Sequence, residues 1–519
     1  MIFASFEFLF LFLPVFFAIY ALVPAGWRNL VILAFSWGFY AWWRVDFLAL
    51  LVGASLLNWV VALRMQAAGP AGRRAGQWLA FGVGVNLAVL GYFKYANFGV
   101  DTFNQLLRGI GHDPIGWSTI VLPVGLSFYI LQGISYLVDV KRGDTPATRS
   151  FLDYAAYKAL FSQLIAGPIV RYSDIARELR DRAFTLAHLG AGARKFMVGF
   201  AMKVVLADTL SPVVDAAFAL PAPSAADAWI AASAYTLQLF FDFAGYSLMA
   251  IGLGRMVGFH FPRNFDNPYL AASIQNFWQR WHMTLSSFLR DYLYVPLGGN
   301  RRGVGRTYIN LIAVMAIGGF WHGASWNFLL WGLWHGGLLA LHRLWTTRGQ
   351  ADAQAGNRGR RAGDRRDALG APLPARGDAR EGGDRRRPDA WRPPWLLGHG
   401  VTLLCVMIGW VIFRAATLQE ALGVYAGMAF LNGMALSDAL AWHLTPDRVG
   451  TFWIAIGVVY LPLLTASLRR RTLLPLPEDT GAGAVLARIW WMGWPLAAFA
   501  VALVLLYSRA AVPFLYFQF

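Results

Sequence analysis

Apolar residues in this chain gather in long blocks divided by short polar and basic stretches. The runs lie near residues 6–23, 29–43, 46–63, 78–92, 118–138, 152–170, 194–220, 228–258, 307–320, 325–344, 398–413, 451–467 and 490–508. Blocks of this kind predict membrane-embedded helices, and the whole reads as an all-α, multi-spanning integral membrane protein. Several runs are shorter than the ~20 residues a simple span needs, so some are expected to be re-entrant or interfacial. The run at 152–170 is expected to break, because it ends in Ala166-Gly167-Pro168. Proline and glycine sit at membrane depth only where protein or a wet cavity satisfies the freed backbone groups. The first run starts almost at Met1 without a basic leader or a small-residue cleavage site, and is read as a retained span.

One stretch departs from the pattern. Residues 346–396 hold twelve Arg and seven acidic residues with almost no large aliphatic side chains, a composition that cannot bury a core. The chain therefore divides into a membrane bundle over 1–345, a disordered Arg/Asp/Gly-rich loop over 346–396, and C-terminal helices of the same bundle over 397–519. The basic character of that loop and of Arg469, Arg470 and Arg471 argues for cytoplasmic placement of both.

Composition sharpens this reading. The chain has 519 residues, 57% hydrophobic and 14% charged, and its mean hydropathy of +0.46 excludes an ordinary soluble enzyme. The net charge of +17 falls mainly in short loops between apolar runs, so it reports membrane topology rather than nucleic-acid binding. Trp and Tyr, at 23 and 19, suit two interfacial belts and contacts with membrane lipid. The single cysteine, Cys405, permits neither an intrachain disulfide nor a cysteine-rich metal site.

Candidate chemistry concentrates in 264–336. Polar and aromatic residues crowd Asn264 to Tyr269, Phe277 to His282 and Leu289 to Tyr294, and one helix over 272–295 would put Arg280, Thr284 and Ser287 on one face. His322 then closes an apolar, glycine-bearing run, and an ionisable residue at such a place marks a cavity or a proton path. The pentad Gly319-Phe-Trp-His-Gly323 is echoed by Gly332-Leu-Trp-His-Gly336, with glycines spaced for close helix approach. His335 reads as a packing residue. On one helix it and His322 would face opposite ways, and without carboxylate or histidine companions at ligand spacing no metal site is expected. Walker-A, nucleophile-elbow and His-x-x-x-x-Asp patterns are missing, and Gly252-Leu-Gly254-Arg-Met-Val-Gly258 is better read as helix packing than as a dinucleotide fingerprint.

Taken in order, these motifs resemble the membrane-bound O-acyltransferase (MBOAT) family, and within it the branch serving alginate O-acetylation. The residues that carry the resemblance include Ala41 to Asp46, Tyr92 to Phe98, Leu122-Pro-Val-Gly-Leu-Ser-Phe128, Ile165 to Pro168, Phe241 to Tyr246, Arg280-Trp-His282, Leu289 to Leu293, Gly319 to Gly323, Gly409 to Arg414 and Pro513 to Phe519. Two positions depart from it: Leu248 stands where the family usually has Asp, and Gln163 where histidine or another residue is expected.

The resemblance implies a helical bundle with a central funnel and acetyl transfer from a cytoplasmic thioester, such as acetyl-CoA, to an exopolysaccharide outside. No bound cofactor is implied. It assigns catalysis to His322 and a lining or positioning role to His282, Arg280, Asp291, Trp321 and Asn327. It also implies a bacterial inner-membrane location, an extracytoplasmic acetyl-accepting subunit and a polysaccharide biosynthesis machinery as partners. D-alanyl or other acyl transfer to an envelope polymer is the alternative within the family, and a polysaccharide or lipid transporter the alternative outside it. General-base action and an acetyl-histidine intermediate both remain open. Deleting 350–392 and bridging the ends with a short Gly/Ser linker is expected to leave acetylation intact, since a coreless segment contributes no pocket. Acetylation in membranes at matched protein level checks this; loss despite correct insertion would make the segment a docking element.

Overall fold

The computed structural model describes the backbone of residues 2–367, 395–471, 482–509 and 512–515, and the side chains of these apart from 348–367, 464–471 and 482–492. The described residues form helices and connecting turns, with no strand among them. Six helices among them are long and apolar enough to cross a membrane: Val45–Ala67, Arg73–Gly109, Leu186–Phe218, Ala225–Val257, Val304–His322 and Trp395–Arg414. Several of the remaining apolar runs fold as shorter pieces, as their lengths imply.

Helix α1 is Val45–Ala67, α2 Arg73–Leu90, α3 Leu126–Arg142, α4 Leu186–Ala201 and α5 Ala225–Val257. Beyond them α6 is Val304–His322, α7 Trp326–Asp367 and α8 Trp395–Arg414. The 33-residue α5 is the central post. Ser224 caps it by accepting the Asp227 N–H while Asp227 accepts the Ser224 N–H, and Gly258 ends it in a left-handed conformation at φ 100°. Nearly all of its side chains are buried, the signature of a helix enclosed on every side.

Glycines let α4 lie against α5. A Cβ on Gly192 would come 2.5 Å from the Gly252 carbonyl oxygen, and one on Gly199 would come 2.5 Å from that of Gly245. The Gly252 motif thus serves packing, as its spacing suggests. The two histidine pentads behave likewise, since Gly319 of α6 and Gly332 of α7 meet where a Cβ would stand 2.3 Å from the Phe328 and Met315 carbonyls respectively.

The break at 152–170 is present. Helix Phe151–Ala159 stops at Leu160, a second turn covers Phe161–Leu164, and Gly167 takes φ +118°. The Ile169 N–H, freed by this break, donates to Thr284 Oγ1 at 3.0 Å. One expectation is corrected. Residues 272–295 do not form one helix: Ile274–Trp278 and Met283–Leu289 are separated by His282, whose φ of 43° no α-helix accommodates. Thr284 therefore points into the interior while Arg280 sits at the break, its guanidinium on the Asp266 carbonyl at 3.3 Å. The segment 346–396, expected to be disordered, overlaps the end of α7. The α7 backbone continues to Asp367, in keeping with the helix preference of its Ala, Arg and Gln residues; residues 368–394 lie outside the described ones.

Two of the six long apolar helices and two shorter ones contain π-helical turns: Glu7–Phe12, Gly91–Tyr95 after α2, Met202–Ala207 after α4, and Arg290–Tyr294. The third brings Lys203 against Asp208 and, at 2.9 Å, Asp242 of α5; Lys203 and Asp242 are buried and the Asp208 side chain is 9% exposed. The second carboxylate oxygen of Asp242 accepts the Leu515 N–H at 2.9 Å, tying the C-terminal stretch to the bundle.

Candidate active site

α6 ends on His322, which is buried and only 5% exposed. A helix end buried in the bundle leaves carbonyls without helical partners. Here the π-helical turn after α2 supplies them. Lys94 Nζ donates to the carbonyls of Trp321 at 2.5 Å and His322 at 2.9 Å, and the Tyr95 hydroxyl donates to that of Phe320 at 3.0 Å. A cation at the negative end of a helix, in charge-assisted hydrogen bonds, pins the last turn and hence the imidazole. Tyr95 also stacks on Phe320, with ring centroids 4.6 Å apart.

Around the imidazole stand aromatic walls. Trp331 of α7 meets His322 edge to face at 5.2 Å and Phe413 of α8 at 5.5 Å. A cavity of about 100 Å³ opens beside His322, lined also by Lys94, Trp321, Ile165 and the stretch from Leu122 to Phe128 that leads into α3. Gly125, at φ +75°, shapes that wall: a Cβ there would lie 2.4 Å from the Leu164 carbonyl oxygen.

His282 comes to the same place from the broken segment, its ring centroid 6.5 Å from that of His322. It is fully buried, and its Nδ1 lies 3.1 Å from Asn264 Oδ1. That oxygen also lies 3.3 Å from the Thr284 N–H, which can only donate, so the Asn264 orientation is set and His282 Nδ1 carries the proton. Asn264 completes its role by donating to Ser247 at 3.0 Å. His282 Nε2 is left with a lone pair and no hydrogen-bond partner among the described residues.

The other expected residues are distributed differently. Trp321 lines the cavity. Asn327 holds the start of α7 to the end of α8 by donating to the Ala415 carbonyl at 2.8 Å. Asp291 lies outside the cavity in a partly exposed cluster, 2.7 Å from both Arg171 and Arg290, while its backbone carbonyl accepts from Arg142 at 2.8 Å. Partial burial pushes the Asp291 carboxyl up, but hydrogen bonds from Arg290 and Arg171 outweigh it and hold the group below the ordinary carboxylate range. His335, fully buried, packs among Phe277, Trp278, Trp331 and Trp410. Trp331 separates it from His322, as a packing histidine requires. Among the described residues no three His, Cys, Asp or Glu side chains gather as metal ligands.

Sequence reasoning missed Lys94 and Asn264. Lys94 carried the signal that drew attention to His322, an ionisable residue inside an apolar run, whereas nothing local marks Asn264 as the partner of a histidine eighteen residues on. The geometry yields a graded expectation. His282→Asn, which tolerates the left-handed backbone, should lower activity more than Asp291→Asn, whose half-exposed ion pairs contribute about 0–1 kcal/mol, or at most about fivefold. Complementation with expression matched ranks the two; the reverse order would move the centre toward the arginine cluster.

A multi-pass membrane protein with a buried imidazole on an interior cavity is the class these features define. Comparison with known proteins is specific. The model of the membrane-bound O-acyltransferase family matches residues 144–362. The chain is 44% identical over 529 residues to the probable alginate O-acetylase AlgI of Pseudomonas putida and 43% identical over 539 residues to that of Azotobacter vinelandii, each match covering 100% of both chains. It is also 35% identical over 462 residues to the peptidoglycan O-acetyltransferase of Helicobacter pylori, covering 83% of this chain and 80% of that one. The chain belongs to the membrane-bound O-acyltransferase family, and it is a membrane-bound acyltransferase.

Proposed function

We propose that this protein takes an acetyl group from a thioester on the cytoplasmic side of a bacterial inner membrane and passes it toward an alginate-type exopolysaccharide outside. The observation that carries the reading is His322 on the wall of an interior cavity, its helix end gripped by Lys94, in a chain alike throughout to alginate O-acetylases. Acetyl-CoA is the donor we infer, and an extracytoplasmic transferase subunit the partner, because no globular extramembrane domain able to hold a polymer occurs among the described residues.

In the reaction, the acceptor hydroxyl attacks the thioester carbonyl carbon while an imidazole nitrogen of His322 accepts its proton. The tetrahedral intermediate collapses with cleavage of the C–S bond, and the imidazolium returns the proton to the departing sulfur. General-base action supplies about 10² to 10⁴-fold, so positioning in the cavity must supply much of the rest. His282, with its bare Nε2 beside the site, is the residue we assign to orienting the acceptor or relaying its proton.

Purified protein in proteoliposomes, given acetyl-CoA and an alginate fragment together with the extracytoplasmic subunit, should release free thiol and yield O-acetyl ester. D-alanyl thioester in place of acetyl-CoA tests the alternative. Ester formed only from the D-alanyl donor would overturn the acetyl assignment, and none from either donor would overturn thioester-driven transfer.

A further inference from the structure

The cavity beside His322 contains a hydroxyl with no assigned role. Ser127 stands one residue into α3 and lines the cavity opposite the α6 end. Lys94 Nζ, having two bonds to the Trp321 and His322 carbonyls, directs its third toward Ser127 Oγ at 3.4 Å. An ammonium has only hydrogens to give, so Ser127 is the acceptor in this contact. Its own hydroxyl hydrogen is thereby turned away from Lys94, and among the described residues that hydroxyl makes no other hydrogen bond. The first turn of α3, with no side chain capping it, faces the same cavity and adds the positive end of its peptide dipoles.

Acyl transfer needs such a donor. When the acceptor oxygen bonds to the carbonyl carbon, the C=O π pair moves onto the carbonyl oxygen, and a preorganised hydrogen-bond donor aimed there lowers the barrier most. Donation from a cation into Ser127 Oγ polarises its O–H and makes it a stronger donor. We propose that Ser127 donates the hydrogen bond that stabilises the carbonyl oxygen of the acyl group during transfer, and that Lys94 is the positioning residue which orients that hydroxyl while fixing His322. Base and electrophile are then set by one ammonium. This rests on the reading of the cavity as the site of acyl transfer.

The test uses the full-length protein in proteoliposomes with the extracytoplasmic subunit, acetyl-CoA as donor and an alginate fragment as acceptor. Ser127→Ala should lower kcat by on the order of 10²- to 10³-fold, the range for loss of one oxyanion donor, with KM for acetyl-CoA little changed. Ser127→Thr, which restores the hydroxyl, should recover most of that loss. Lys94→Gln, which can still donate to a carbonyl, should fall at least as far in kcat while its thermal midpoint in detergent stays near wild type. Wild-type turnover in Ser127→Ala would overturn the proposal, and so would equal loss in the Ala and Thr variants, which would indicate packing alone. An acetyl group found covalently on Ser127 by mass spectrometry would also overturn it, making the serine a nucleophile. A wild-type protein inactive in this assay strikes instead at the proposed function, so the two failures are distinguishable.

Discussion

His322→Ala should abolish acetyl transfer while leaving a folded, inserted protein. Loss of the proton acceptor removes on the order of 10² to 10⁴-fold, enough to take polymer acetylation below detection. Stability should survive for a specific reason: Lys94 grips the backbone carbonyl of residue 322, not its ring, and alanine keeps that carbonyl. The glycine contacts between α6 and α7 lie a turn away and are untouched. NMR of the polymer for acetyl content, with protein level and thermal midpoint measured alongside, tests both halves. Undiminished acetylation would remove the proposed base, whereas a collapsed protein would show the imidazole to be structural.

The opposite profile is expected of Lys203→Ala. Among the described residues its ammonium is the one cation within ion-pair distance of two carboxylates, Asp208 and Asp242, the second of which also accepts the Leu515 N–H. Removing one member of a buried ionic group leaves uncompensated charge and costs about 3–5 kcal/mol. The variant should therefore lose its monodisperse, folded population in detergent, and activity with it. Combining Lys203→Met with Asp208→Asn and Asp242→Asn removes charge on both sides and should regain much of the stability. A thermal midpoint for Lys203→Ala equal to wild type would sink this account.

How far the chain could be read in advance varied with the range of the forces involved. The helical membrane class, the break before Ile169 and the close approach at Gly319 and Gly332 were legible because composition and local spacing decide them. His322 stood out as a candidate because a lone imidazole in an apolar run is costly, and the structure buries it on a cavity wall. The segment around Arg280 was misread because helical spacing alone cannot foresee a left-handed residue. His282 adopts φ 43° under tertiary pressure, its ring drawn to Asn264 and boxed by Phe243 at 4.7 Å. Asn327 illustrates the same limit, since a polar residue near the pentads proved to be bound to a carbonyl 88 positions later. The helical backbone of α7 past Trp345 shows that low hydrophobicity denies a core but not a helix.

The wide turns bear on how such a chain tolerates changes in length. Each accommodates one residue more than a regular α-helix would over the same rise, and two of them hold Lys94 and Lys203, the buried ammonium groups on which the site and the ionic cluster depend. Excising a single residue from Gly91–Tyr95 would not open a gap in the helix. It would regularise the ladder, and because the wide turn has already absorbed the extra residue, the segments on either side would keep nearly the same rise and facing. A one-codon deletion there would therefore leave the flanking helix and its hydropathy almost unchanged while displacing Lys94, which the wide turn itself carries, from the end of α6.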